Sequence, residues 1–297
     1  MLLMPVEALN VTGSVITTPF SYVATANSIL WEKCQPVFVD INAETFCLDA
    51  SKVESKISSH TKAILATHVY GLPSAIEQLD MISKRWNIPI IYDAAHAFGS
   101  EYNGKSLLSF GDISSCSFHA TKLFHTGEGG CLITDNDELA RKIYLYRQFG
   151  HVYDDYYSEG INAKNSEFHA AMGLCVLKDL NKIIEKRKII STTYDGLLGK
   201  KDMRILHYAD LHKPNYSYYP VVFKSESQLL KVKNSLEAKA IFPRRYFFPS
   251  LNTLPFIPYQ SCPISEDISR RVICLPLYYE LAIAEVEMIC NIVIENL

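Results

Sequence analysis

Six short apolar runs, separated by stretches of helical spacing, restrict this chain more than any other feature. They are Ser14-Val-Ile-Thr-Thr-Pro19, Pro36-Val-Phe-Val-Asp40, residues 61–69, Ile88-Pro-Ile-Ile-Tyr-Asp93, residues 113–118 and residues 130–134. The runs are apolar throughout, which predicts strands buried on both faces of a mostly parallel sheet. Between them the spacing predicts helices over residues 22–31, to residue 57 with Asp49 or Ser51 as cap, over about 74–86, and one capped by Asn136. Strands alternating with helices define an α/β fold. Ligands of such sheets collect at the C-terminal ends of the strands, and Asp93 stands at one.

The flanking regions read differently. Residues 2–9 have helical spacing without a cap. The turn Gly160-Ile-Asn-Ala-Lys-Asn165 leads into a long helix from about Ser166, expected to run with a break to about Leu198. Beyond it the pattern changes to an alternating aromatic strand over 215–223, an amphipathic helix over 226–238, a strand over 271–275 and a closing helix over 281–294. A boundary between residues 195 and 205 follows, giving a large domain over 1–200 and a smaller α+β domain over 201–297; the 297 residues suffice for both.

Composition excludes several classes. Hydrophobic residues make up 48% and charged residues 21%, the balance of a folded chain. A net charge of -3 gives no footing for nucleic acid or an anionic membrane. No apolar run approaches the ~20 residues that cross a bilayer, and the N-terminus lacks the marks of a secretory signal. The eight cysteines form no Cys-x-x-Cys, and Cys116, Cys131 and Cys274 lie inside apolar runs. They are expected to be reduced core residues of a cytoplasmic protein, with no metal site.

The stretch Ser117-Phe-His-Ala-Thr-Lys122-Leu-Phe-His-Thr-Gly-Glu-Gly-Gly130 joins two of the apolar runs. A loop lysine is ordinarily solvated. One held on a turn between buried strands is partly desolvated, which lowers its pKa and makes it a nucleophile toward carbonyl carbon. Pyridoxal phosphate requires such a lysine, a carboxylate for its ring nitrogen, an aromatic over its ring and donors for its phosphate. Lys122, Asp93, Tyr22 and Ser117 supply one of each. Spacing alone leaves open a structural Asp–Lys ion pair.

The runs Val15-Ile-Thr-Thr-Pro-Phe-Ser-Tyr-Val-Ala-Thr-Ala-Asn27, Pro36-Val-Phe-Val-Asp40, His68-Val-Tyr-Gly71, Asp93-Ala-Ala-His-Ala97, Ser117-Phe-His-Ala-Thr-Lys122, Gly127-Glu-Gly-Gly130 and Gly160-Ile-Asn162 with Ala170-Ala-Met-Gly173 carry a resemblance. In this order they resemble the DegT/DnrJ/StrS sugar aminotransferases over essentially the whole chain. The resemblance implies an aspartate-aminotransferase-like, fold-type I pyridoxal phosphate enzyme, a homodimer whose active site is shared across the interface. Its substrates would be a nucleotide-linked keto sugar and an amino-acid donor, usually glutamate.

Carried over by position, Lys122 resembles the Schiff-base lysine and Asp93 the pyridinium partner. Tyr22 resembles the ring-stacking aromatic and Ser117 a phosphate-binding hydroxyl. Asn162 resembles the asparagine reaching the neighbouring subunit's phosphate. His96 stands where many members have glutamine, and either side chain can donate a hydrogen bond to the cofactor's phenolic oxygen. His119 is expected to be structural and Glu128 a turn residue. Lys164 stands where arginine is common and offers no bidentate fork.

The segment Ile241-Phe-Pro-Arg-Arg-Tyr-Phe-Phe-Pro-Ser250 assigns Arg244, Arg245 and Tyr246 to the substrate. It resembles members acting on dTDP-linked keto-6-deoxyhexoses in O-antigen or capsule synthesis. The resemblance also implies an Asn-Gly-Thr phosphate-binding turn ahead of Val15, and this chain starts just after it. The alternative expectation is therefore a non-catalytic remnant that cannot hold pyridoxal phosphate. A sugar dehydratase of the same fold is disfavoured, because those enzymes replace the lysine.

Overall fold

A computed structural model describes residues 2–199, 201, 203–206 and 212–297. Its centre is a six-stranded sheet of β1 (Ser14–Thr17), β2 (Gln35–Phe38), β3 (Thr61–Thr67), β4 (Ile90–Asp93), β5 (Ile113–Ser117) and β6 (Gly130–Ile133), in the spatial order β2-β1-β3-β4-β5-β6. All six expected runs are strands. Five are parallel, and β6 alone turns back antiparallel on β5, because the lysine turn joins the two directly.

Helices cover both faces, as uninterrupted apolar strands require. On one face Val6 of α1 (Leu3–Ala8) and Ile29 of α2 (Val23–Trp31) pack on Val15, Leu65 and Ile91, and Leu139 of α4 (Asp137–Arg147) packs on Ile113. On the other face Ile76, Leu79 and Ile82 of α3 (Ile76–Trp86) meet Ile16, Ile64, Ile90 and Tyr92. Asn136 caps α4 by accepting from the N–H groups of Glu138 and Leu139 at 2.9 and 3.1 Å, with Asp137 and Glu138 favourably placed in the first turn. The helix expected to end at residue 57 is instead two 3₁₀ turns, Ala50–Lys52 and Glu54–Lys56. Only Ala50 and Val53 are buried there, too narrow an apolar face to hold an α-helix.

After residue 160 the chain forms α5 (Glu167–Leu198), which is unbroken over 32 residues, contrary to the expected interruption. A smaller C-terminal subdomain follows. Its antiparallel sheet, β7 (Arg204–Ile205), β8 (Tyr219–Val222) and β9 (Val272–Leu275), packs with α6 (Glu226–Glu237) and α8 (Ile283–Glu295). Ile190, Tyr194 and Leu198 of α5 belong to the same core, so that core reaches back across the expected boundary. Lys200 and Asp202, at that boundary, lie outside the described residues. Helix α7 (Pro263–Arg271) has no side-chain cap of its own. Buried Asp40, just past β2, accepts from Ile264 N and Ser265 N at 2.9 Å each and fastens the helix start to the large sheet. Among the described residues no helix is long and apolar enough to cross a membrane.

Candidate active site

The C-terminal edges of β3, β4 and β5 bring Thr67, Asp93 and Ser115 into adjacent register. Above them opens a cavity of about 600 Å³ lined by Asp93, Lys122, Ser117, His96, Tyr22 and Arg244, among others. Of the residues assigned from sequence, Tyr246 also lines it.

The lysine turn is held by its own backbone. Phe118 N donates to Gly129 O at 2.9 Å, Ala120 N to Gly127 O at 2.7 Å and Thr126 N to Phe118 O at 2.9 Å. Gly129, at φ 153°, needs glycine, since a Cβ there would collide with the Thr126 hydroxyl. Gly173 of α5 lets the helix approach: a Cβ there would lie 2.8 Å from the Thr126 methyl. Burial depresses the Lys122 pKa, opposed by the charge of Asp93. The free amine is thereby favoured, as nucleophilic or proton-carrying work requires.

Asp93 is buried, and burial raises its pKa; hydrogen bonds from Thr25 and Ala95 and the charge of Lys122 act the other way. Thr25 Oγ1 donates to Asp93 Oδ2 at 2.8 Å and Ala95 N to Oδ1 at 3.2 Å. The Thr25 proton being spent on Asp93, the 2.7 Å bond between Ser21 Oγ and Thr25 Oγ1 must be donated by Ser21. Thr67 Oγ1 donates in turn to Ser21 Oγ at 3.1 Å. Three hydroxyls are thus polarised in series toward one carboxylate.

His96 is buried, and its Nδ1 accepts from Tyr70 N at 3.2 Å. Burial first, and the Lys122 charge second, push its pKa well down, so the ring is neutral and Nε2 carries the proton. Phe247 stacks on it at 5.6 Å and 2°. Tyr22, the N-cap residue of α2, is 58% exposed, leaving its ring free to cover a ligand.

Two assignments differ in space. Arg244 forms a two-way backbone bridge with Cys274 of β9, at 3.1 and 2.7 Å. Arg244, Tyr246 and Phe247 line the cavity, and Arg245 between them does not. Arg245 pairs with Glu226 at 3.0 Å, donates to Arg270 O at 2.9 Å and lies over the Phe248 ring at 3.6 Å. Its assignment to the substrate is corrected: the guanidinium is turned into the small subdomain, bonded there through Nη2. Asn162 does not line the cavity; it bridges Gln148 in an exposed loop, where Lys164 lies 4.6 Å from the Phe149 ring. His119, expected to be structural, and Glu128, expected to be a turn residue, pair at 3.6 Å on the cavity wall. Thr25 was missed; its signal was a hydroxyl one helical turn after Tyr22 on the same face.

The donor set suits pyridoxal phosphate. A buried carboxylate awaits a cationic ring nitrogen, a desolvated amine adjoins it, a neutral N–H donor sits beside them, and hydroxyls stand at the cavity edge. Among the described residues no group of His, Cys, Asp and Glu is arranged to hold a metal.

Comparison with known proteins agrees. The chain belongs to the DegT/DnrJ/EryC1/StrS aminotransferase family, whose model matches residues 1–294. It is 36% identical to a dTDP-4-amino-4,6-dideoxy-D-glucose transaminase of Shigella dysenteriae, over 99% of this chain and 82% of that protein. It is 33% identical to a GDP-perosamine synthase of Escherichia coli O157:H7, over 93% of this chain and 77% of that protein. Among solved structures, DesI in the presence of its TDP-sugar product is similar at a TM-score of 0.91 and 29% identity, covering 98% of this chain and 76% of that one. The aminotransferase TlmJ from Streptoalloteichus hindustanus shares the fold at a TM-score of 0.95 and 24% identity, covering 99% and 82%. The chain is thus a fold-type I pyridoxal phosphate aminotransferase.

Proposed function

We propose that this aminotransferase moves an amino group, with glutamate as donor, onto a dTDP-linked keto-6-deoxyhexose for O-antigen or capsule synthesis. The observation that carries the reading is the convergence of Lys122, Asp93, His96 and Ser117 from the large sheet with Arg244 from the small subdomain in one cavity. Bound there, pyridoxal phosphate supplies an electron-withdrawing ring that stabilises negative charge on the carbon bearing the amino group.

The chain's own groups do the rest. Lys122 would hold the cofactor and, as the free amine favoured by burial, would carry the proton on and off the reacting carbon. Asp93 would keep a proton at the ring nitrogen, its negative charge supported by Thr25 and Ala95. His96, through Nε2–H, would donate to the phenolic oxygen, Tyr22 would cover the ring and Ser117 would bind the phosphate. Arg244, with Tyr246, takes the nucleotide diphosphate of the substrate.

The domain boundary is placed near residue 200, and the working form is a homodimer in which Asn162 reaches the partner's phosphate site. Support comes from exposed apolar side chains at the start of α5 and in the loop before it. Phe168 is 88% exposed, Tyr153 90% and Leu174 66%. Such side chains in one region call for a covering surface.

The test is reconstitution with pyridoxal phosphate and incubation with glutamate and dTDP-4-keto-6-deoxyglucose. A visible band of lysine-bound cofactor and formation of the amino sugar are expected, and both should vanish in Lys122→Ala. Well-folded protein with no such band would sink the reading and leave the non-catalytic alternative.

A further inference from the structure

Cys116 of β5 and Cys131 of β6 are direct cross-strand partners, so their side chains leave the same face of the sheet. The neighbouring backbone bond from Phe118 N to Gly129 O fixes the alternation of the ladder. It makes Cys116–Cys131 a hydrogen-bonded pair, with Cα atoms typically ~5.5 Å apart, inside the range a disulfide spans. Cys116 is buried, whereas Cys131 is only partly covered. Each thiol acts on the other across the ladder, which lowers the pKa of Cys131 and, together with burial, raises that of Cys116. One sulfur is thus the more reactive and reachable, with its resolving partner held against it. Cys116 immediately precedes Ser117 and feels the charges of both Asp93 and Lys122.

We propose that Cys116 and Cys131 form a reversible disulfide that loosens the grip of the lysine turn on the cofactor when hydroperoxides are present. The Cys131 thiolate attacks a peroxide oxygen; an S–O bond forms, the O–O bond breaks, and the leaving oxygen departs protonated as water or alcohol. The Cys116 thiol then attacks Cys131 Sγ, the S–S bond forms, the S–O bond breaks and water leaves with the Cys116 proton. Two thiols lose two electrons and one peroxide gains them. A disulfide wants its Cβ atoms ~3.8 Å apart, against roughly 4.5–5.5 Å for facing strand residues. Closure therefore draws β5 and β6 together one residue below Ser117 and shifts the turn that carries Lys122. A small-molecule dithiol restores the open pair.

The experiment uses the pyridoxal phosphate-loaded Cys175→Ser protein, which lacks the exposed thiol, treated with hydrogen peroxide and then digested with trypsin. Trypsin separates residues 106–122 from 123–141, so the two sulfurs fall on different peptides. Expected are a loss of ~2 Da, these two peptides linked, and a visible cofactor band that falls by half or more and returns with dithiothreitol. Cys131→Ser should keep its band under the same treatment. The mass readout is repeated on cofactor-free protein, so its result stands apart from the cofactor assignment. The proposal is overturned if the two peptides are never linked, or if they link while the band is unchanged.

Discussion

At the scale of single residues, the carboxylate at the end of β4 depends on a proton it does not own. Thr25 spends its hydroxyl hydrogen on Asp93 and is supplied in turn by Ser21 and Thr67. Thr25→Val removes a bond that holds the Asp93 pKa down against burial. The pKa should rise further, so the acid limb of the kcat profile moves to higher pH and kcat falls about tenfold, from a lost charge-assisted bond. A purely structural role for Thr25 would lower stability without moving that limb. Glu32 carries the opposite lesson. Burial, and then hydrogen bonding and repulsion from Glu7, raise its pKa from 4.5 to about 7, with Glu159 adding a smaller push. A folded-state pKa above the unfolded value means stability is lost as pH rises from the lower value through the higher. Glu32→Gln should therefore raise the melting temperature at about pH 8.5 and change it much less at about pH 5, in paired thermal melts. That Lys122 and Asp93 meet in one cavity was legible, because their neighbours form ordered blocks. The exit of Arg245 was not legible, since its ion pair with Glu226 in the small subdomain draws it away. The Glu7–Glu32 contact was not, since it joins two helices whose approach only the sheet decides.

At the scale of elements, uninterrupted apolar runs gave the strands, and Asn136 and Ser166 gave helix starts that the structure keeps. The antiparallel return of β6 was implicit in the short lysine turn, because a parallel partner needs a crossover of a dozen or more residues. What the sequence hid are elements held by distant partners. Helix α7 begins where Asp40, 224 and 225 positions away, accepts from its first free N–H groups. Local propensity carries no trace of that bond. Asp40→Ala leaves those two donors, one buried and one part-buried, unpaired and should cost about 2–6 kcal/mol, at roughly 1–3 for each. Chemical denaturation would measure it. An unchanged midpoint would mean that water replaces the carboxylate.

At the scale of the whole molecule, the cavity draws its reactive groups from one half of the chain and its arginine wall from the other, so neither half alone is an enzyme. In the proposed homodimer, the exposed apolar start of α5 extends the same logic to a second copy. Phe168→Asp should shift the protein to monomer in sedimentation velocity and weaken cofactor retention on dialysis, because Asn162 then has no partner site to reach. A variant still dimeric would place the interface elsewhere.

Helix α5 touches both halves of the cavity. Gly173, near its start, rests against Thr126 of the lysine turn, and Ile190, Tyr194 and Leu198, near its end, are sunk in the core that carries β9 and hence Arg244. Over 32 unbroken residues, ~48 Å of α-helix, it works as a gauge block. The distance from reactive amine to arginine is counted in helical turns. Inserting or deleting one residue between these contacts would swing the far end by ~100° and slide it by ~1.5 Å. The loops of this protein can drift in length, but this span is quantised.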